Sequence, residues 1–524
     1  VTLSTRRLSP PRGTPPRHDV EVTGGIVRGV LRRGLRMWRG IPYAAPPVGE
    51  RRFRAPAPVE PWHDVRDASE FGAIPIQSRN GAFVGAARDA AMSEDCLTVN
   101  VIRPDSDETG LPVMVFIHGG AYMVGSSAEH RRNGEALVAE GGVVYVSFNY
   151  RLGALGYLDL TRYSTPERPI ESNLGLRDQV VALEWVRDNI RAFGGDPARV
   201  TLFGESAGGN AVTTLMAVPA AHGLFARAIA QSSPANAIYP PEVTAVWAQE
   251  FVAILSDLVG DREVEATSDD EGGAVLTAAS AEQLAEATVT LTLRTPDAHP
   301  GTIALSPVID GELLPERPLD AFKEGRAAPV PLIIGTMDRE GALFTGRLDI
   351  LATTPSRIRA IFANTKKKAR KAIKAEYPGL PARRPAADFG GDYAFWFPSV
   401  KVAERHSQFQ PTYFYRFDLA PRLVRWMGFD ATHGLDLFAV FDRIDRPFGR
   451  LMTALGGRRA FHATSRRMRS RWLAFAHGEL FDESDWPRYE MEARRTLIID
   501  EEDRIEADPR ATRRHAWRLF VPHV

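Results

Sequence analysis

Residues 193–209 read FGGDPARVTLFGESAGG, and inside them GESAG sets Ser206 between Gly204 and Gly208. The apolar run 200–203 leads straight into it. A serine that attacks a carbonyl must hold its hydroxyl clear of the backbone. A sharp turn from strand into helix does this, and it strains the serine's own backbone. The flanking chain then passes so close to its neighbours that a Cβ at position 204 or 208 would clash, which accounts for both glycines. The required elements stand on both sides, a strand over 200–203 and a helix from Ala207 to about Ala217. A plain glycine-rich loop would need neither.

An alcohol is a weak nucleophile unless a base takes its proton, a third group orients the base and N–H donors stabilise the oxyanion. Such donors belong on a loop that follows another strand. The run 113–117 opens directly into His118-Gly119-Gly120-Ala121-Tyr122. Glycines there let two backbone N–H groups converge on one small volume. Gly119 and Gly120, with the N–H of Ala207, form the expected oxyanion hole. His118 reads as a brace for that loop rather than as the base.

These pieces need a scaffold that brings strand ends together. Short β-rich runs recur at 113–117, 143–148, 200–203, 228–231, 331–334, 413–417 and 496–499. Helical spacing separates several of them. Leu176, Val180, Leu183, Val186 and Ile190 fall three and four residues apart, with Gly194-Gly195 as the stop. Buried strands alternating with helices predict an α/β fold, a central mostly parallel sheet with helices on both faces. Residues 1–18, rich in Pro, Arg and Ser, read as a flexible tail, and 19–524 as a single domain without a dividing linker or internal repeat. The acidic stretch 261–273 reads as a surface loop. The basic run 366–374 and the arginines of 458–471 read as wet helix faces.

The chain has 524 residues, 44% hydrophobic and 25% charged, an ordinary globular composition able to bury a large core. Lys+Arg and Asp+Glu number 65 each, so formal net charge is zero. That removes the electrostatic case for nucleic acid or an anionic membrane and favours a small neutral substrate. The single cysteine, Cys96, cannot form an internal disulfide or a thiolate metal cluster, as expected of a cytoplasmic protein. The opening VTLSTRRLSPPRGTPPRHDV lacks the apolar core of an export signal, and no apolar run approaches the ~18 residues of a membrane span. Neither export nor a membrane partner is expected.

Several longer motifs resemble the type-B carboxylesterase family, the cholinesterase-like branch of the α/β-hydrolases. RGIPYAAPPVGERRFR (39–54), EDCLTVNVIRP (94–104), NYRLGALG (149–156) and the whole of FGGDPARVTLFGESAGG are similar to its signatures, from about residue 20 to the end of the chain. The resemblance implies an α/β-hydrolase fold with helical insertions around the active site and a triad in the order Ser, acid, His. The family's G-T-N-x-D-E-G-like segment falls on Gly335-Thr336-Met337-Asp338-Arg339-Glu340-Gly341 and puts the acid at Glu340. An arginine stands at 339 where the family has Asp, and Asp338 is the rival acid. The H-G-x-E/D-L segment falls on His433-Gly434-Leu435-Asp436-Leu437 and puts the base at His433; His477, also before a glycine, belongs to a late helix. By the same resemblance Asp436 braces the base and Ser232, in AIAQSS, is a buried polar neighbour of the triad. In many relatives the cysteine of EDCL pairs with one in an earlier F-G-x-x-C-P-Q segment. Here that segment is FGAIPIQ (71–77), so Cys96 is expected to be a free buried thiol.

The implied reaction is hydrolysis of a carboxylic ester through an acyl-Ser206 intermediate, similar to that of bacterial p-nitrobenzyl esterases. It implies no metal or organic cofactor and a small-molecule ester as partner, for a monomer or a homo-oligomer alike. The HGGAY loop resembles the roomy oxyanion loop of members that accept bulky alcohols. YAFWF (393–397) either lines the acyl or alcohol side or packs in the core. A hydrolase of carbamates or amides would use the same triad. A non-catalytic binding protein, like the family's adhesion members, would have no use for an intact Ser206, Glu340 and His433.

Overall fold

A 13-stranded sheet runs through the residues that the computed structural model describes, 18–79, 90–128, 134–260, 268–346 and 348–520. Its strands are β1 (His18–Val22), β2 (Gly25–Arg32), β3 (Leu35–Pro42), β4 (Arg66–Asp67), β5 (Thr98–Pro104), β6 (Leu111–Ile117) and β7 (Val144–Phe148). They continue with β8 (Gly195–Glu205), β9 (Arg227–Gln231), β10 (Leu332–Met337), β11 (Thr412–Phe417), β12 (Arg495–Ile499) and β13 (Arg504–Ala507). The spatial order is β1-β2-β3-β5-β7-β6-β8-β9-β10-β11-β12-β13, with β4 beside β2. From β7 to β12 every neighbouring pair is parallel. β1, β2, β3 and β5 extend one side antiparallel, and β13 the other.

The predicted runs are the strands of this parallel block. The reason is burial on both faces, which leaves no polar alternation in them. Val113, Val115 and Ile117 of β6 enter one core with Leu202, while Met114 and Phe116 enter the other with Phe203. Helix Leu174–Asn189 covers the first face with Leu176, Val180, Leu183 and Val186. It ends in a 3-10 turn, Ile190–Phe193, and stops where Gly194 takes φ 77°. Helix Arg458–His477 covers the second face with Phe461, Met468 and Trp472.

Among the polar segments, 261–273 and the arginines of 458–471 differ from expectation. The tail over 1–18 lies outside the described residues except for His18, which opens β1 and accepts the Trp38 indole N–H at 2.9 Å. Residues 261–267 also lie outside them, but the rest of 261–273 is not loop. Ser268 caps helix Asp269–Ala278 in a reciprocal box with Glu271, and the acidic residues occupy its first turn, where the helix dipole favours them. The basic run forms helix Lys367–Glu376 with only Ala369 and Ile373 turned inward. Among the arginines of 458–471, Arg469 is no wet residue. It is buried, donates twice to Glu140 at 2.8 Å and lies 3.2 Å from Asp442, the pairing a buried guanidinium requires.

Candidate active site

β8 ends at Glu205, and the chain turns at Ser206 into helix Ala207–Leu215. Ser206 has φ 59° and ψ −123°, a region that a residue with a side chain enters only under strain. Close approach explains the flanking glycines. A Cβ on Gly204 would stand 2.5 Å from the Gly208 carbonyl oxygen, and one on Gly208 would stand 2.1 Å from that of Ile117. The Ser206 N–H donates to the Gln231 carbonyl at 2.9 Å and fastens the turn to the end of β9.

Beyond β6 the loop that begins at His118 folds back onto this turn. A Cβ on Gly119 would lie 2.5 Å from the Glu205 carbonyl oxygen and 3.1 Å from Ser206 Cβ, so this backbone abuts the serine. Gly120 has φ 119°, and Ala121 and Tyr122 follow at 54° and 55°. Two strained non-glycine residues in a row need an over-determined setting. Tyr122 supplies it: its hydroxyl donates to Asn210 Oδ1 on the serine's own helix at 2.7 Å, and its ring stacks on Tyr157 at 3.8 Å. Gln77 bonds in both directions with Gly125. His118 braces the loop, its ring stacked on Tyr150 at 4.5 Å and its carbonyl accepting the Tyr150 hydroxyl at 2.6 Å. Gly119, Gly120, Ala121 and Ser206 are partly exposed while their chain neighbours His118 and Ala207 are buried, so solvent reaches the backbone around the serine.

Glu340 opens a 3-10 turn, Glu340–Leu343, just past β10. Its Oε1 accepts from the Met337 N–H at 2.8 Å and from Ser232 Oγ at 2.6 Å. Its Oε2 lies 2.6 Å from Nδ1 of His433. His433 sits on the loop after β11, where Gly434 at φ 74° turns the chain into helix Leu435–Val440. The rings of Phe395 and Phe344 flank the imidazole at 4.5 and 5.1 Å. The other nitrogen, Nε2, is 3.2 Å from Glu205 Oε1. Burial lowers the imidazole pKa, but Glu205, Glu340 and Asp436 outweigh it and raise it to about 9. Asp436 is itself buried, which raises its carboxyl to about 6; its Oδ2 accepts from Gln231 Nε2 at 2.7 Å and the Tyr415 hydroxyl at 3.0 Å.

Asp338 and His477, the other candidates, have partners of their own. Asp338 is bound by Arg510 at 2.8 Å. His477 ends its helix with Nε2 at 2.7 Å from the Gly141 carbonyl oxygen. Cys96 is free and buried, in a small cavity that Pro75 also lines, and burial pushes its thiol well above the ordinary range. YAFWF divides: in the π-helical turn Asp392–Trp396, Phe395 meets the imidazole while Tyr393 packs on Trp517 at 5.9 Å. Phe397 does the same at 5.7 Å, and Trp396 joins the main core.

Sequence reasoning missed three contributors. Glu205 stands in GESAG beside the serine, a visible carboxylate that received no role. The Tyr122–Asn210 bond had no local signal, since it spans 88 residues. Phe344, Ile350 and Leu351 complete a small apolar cluster with Ala394 and Phe395 of YAFWF against Ala121, and only the fold brings them together.

Ser206, Ser232, Glu340 and the loop at Gly119 lie just past the C-terminal ends of the neighbouring parallel strands β8, β9, β10 and β6, and His433 reaches Glu340 from the longer connection after β11; this is the end at which open α/β sheets bind ligands. Sheet and site together define an α/β-hydrolase. The profile of the carboxylesterase family matches residues 16–517, and the chain belongs to that family. It is 37% identical to the para-nitrobenzyl esterase of Bacillus subtilis over 507 residues, 96% of this chain and 99% of the relative. It is 34% identical to the fumonisin B1 esterase of Sphingopyxis macrogoltabida over 480 residues, 89% of this chain and 83% of the relative. A solved PNB esterase superposes with a TM-score of 0.83 at 35% identity, covering 96% of this chain and 99% of the other. The protein is a carboxylic ester hydrolase.

Proposed function

We propose that the protein hydrolyses small-molecule carboxylic esters through an acyl-serine intermediate, with Ser206 as nucleophile, His433 as base and Glu340 as the orienting acid. The observation that carries this reading is the 2.6 Å contact between Glu340 Oε2 and His433 Nδ1, which leaves Nε2 as the nitrogen for proton transfer. His433 takes the Ser206 proton as Oγ attacks the ester carbonyl. The N–H groups of Gly119, Gly120 and Ala207 receive the oxyanion. The alcohol leaves with the proton from His433, and water activated by the same imidazole then attacks the acyl-Ser206 carbonyl and releases the acid. Glu340 fixes the tautomer and stabilises the imidazolium. General-base help contributes about 10²–10⁴ to the rate, and each oxyanion donor about 10²–10³. Ser232 and Asp436 position this pair rather than touch substrate. The lone Cys96 fits a reducing, cytoplasmic setting.

The test is turnover of p-nitrophenyl acetate and butyrate by the parent and by Ser206→Ala. Activity in the parent that disappears in the variant supports the assignment. Equal rates in both would remove Ser206 from the mechanism.

A further inference from the structure

We infer that the surface built by residues 421–459 docks on an anionic lipid–water interface. Two short helices form it, Arg422–Trp426 and Pro447–Met452, packed against each other with Arg422 alongside Gly456. Trp426 is 80% exposed and Met427 50%; Phe448, Leu451 and Leu455 are 52%, 59% and 55% exposed. Single exposed apolar residues are ordinary, but these stand together on adjoining elements. The helices are anchored from beneath, where Val424 and Met452 enter the core and Phe448 rests on Phe438 at 5.9 Å. Their outer faces are left to water.

Charge selects the occupant. The chain is neutral overall, yet cations separate out here. Arg422, Arg446, Arg450 and Arg459 are exposed and have no ion-pair partner among the described residues. The carboxylates of the same stretch are already engaged. Asp430 is held by Arg339 and Arg384 and Asp442 by Arg469, and Asp445 lies 3.9 Å from Arg458, while Asp436 is buried. A two-fold contact with a second copy would press this cationic rim against itself. An anionic lipid surface complements both features: Trp, Phe and Leu enter the headgroup–acyl boundary while the guanidinium groups meet phosphates. The expectation of no membrane partner rested on the lack of a long apolar run and on net charge, and neither registers charge and apolar groups gathered on one face. Among the described residues no helix is long and apolar enough to cross a membrane, so the contact is peripheral.

The full chain is tested by co-sedimentation with phosphatidylcholine vesicles, with and without phosphatidylglycerol. The protein should pellet with the anionic vesicles only, and added salt should release it. Arg446→Glu and Arg450→Glu should each weaken binding about fivefold or more. Trp426→Ser combined with Leu451→Ser should abolish it, and all variants should hydrolyse p-nitrophenyl acetate like the parent. No binding to anionic vesicles overturns the inference, as does binding that these substitutions leave unchanged. A dimer that dissolves on Trp426→Ser, or an acidic protein held at this face, each without vesicle binding, would give the surface to that partner and overturn it too.

Discussion

Arg339 Nη1 lies 2.8 Å from Asp430 Oδ2, so the residue beside Glu340 grips the strand of chain that leads into His433. The same nitrogen donates to the Gly428 carbonyl at 3.1 Å, the Arg339 N–H donates to the Ala431 carbonyl at 3.0 Å, and Nε donates to Asp388 at 2.8 Å. The turn at Glu340 and the loop that leads to His433 are clamped by one residue, Arg339. Arg339→Ala should therefore lower kcat about 10²-fold with a smaller change in KM, because it displaces the base rather than the substrate. Arg339→Lys, which keeps the charge but loses the fork, should recover part of the rate. Steady-state kinetics on p-nitrophenyl butyrate decide it; a loss confined to KM would contradict the clamp.

The acid limb of the pH profile should be displaced upward. In the proposed role His433 is a base only when neutral, and its pKa raised to about 9 exceeds the ordinary ~6.5. Activity should accordingly climb with pH through the range between those values. Glu205→Gln removes one of the carboxylates that hold the imidazole up, so the limb should move toward lower pH. A profile of kcat/KM that does not move would show that Glu205 is not felt at Nε2.

Two glycines should fail in different ways. Gly119→Ala drives a Cβ against the Glu205 carbonyl and Ser206 at the mouth of the site. The expected result is a loss of about 10²–10³ in kcat with modest change in Tm. Gly208→Ala forces its Cβ to 2.1 Å from the Ile117 carbonyl, inside the packed turn, and should destabilise the fold by about 1–3 kcal/mol in thermal unfolding.

Phe395 and Phe344 wall the site beside His433. Phe395→Ala should enlarge that wall and shift preference toward longer or bulkier esters by roughly 10–200-fold in relative kcat/KM, the range that small differences in an apolar pocket produce. Profiling p-nitrophenyl acetate through decanoate measures it; an unchanged order would place Phe395 in packing alone.

What was legible in the sequence follows from burial. The strands of the parallel block are hidden on both faces, so each is a compact apolar run, and β6 and β8 could be read without their partners. β1 and β2 are half in water, with exposed Asp19, Ile26 and Arg32 among covered residues, and gave no run to find. Ser206 was legible because its turn dictates local glycines. Glu340 and His433 carry no local mark of the roles proposed for them; motif resemblance alone singles them out, since 93 residues separate them and the fold makes the contact. The pairing of Asp338 with Arg510 was not legible either, because Arg510 arrives from the far end of the chain.

The most direct measurement is covalent trapping with diethyl p-nitrophenyl phosphate, followed by peptide mass mapping. Ser206 Oγ should attack phosphorus, expel p-nitrophenolate and leave one diethylphosphoryl group per chain on the peptide carrying GESAG. Esterase activity should fall in step, and Ser206→Ala should take up none. An adduct on another residue that tracks the loss of activity, or full activity with Ser206 modified, would contradict the account.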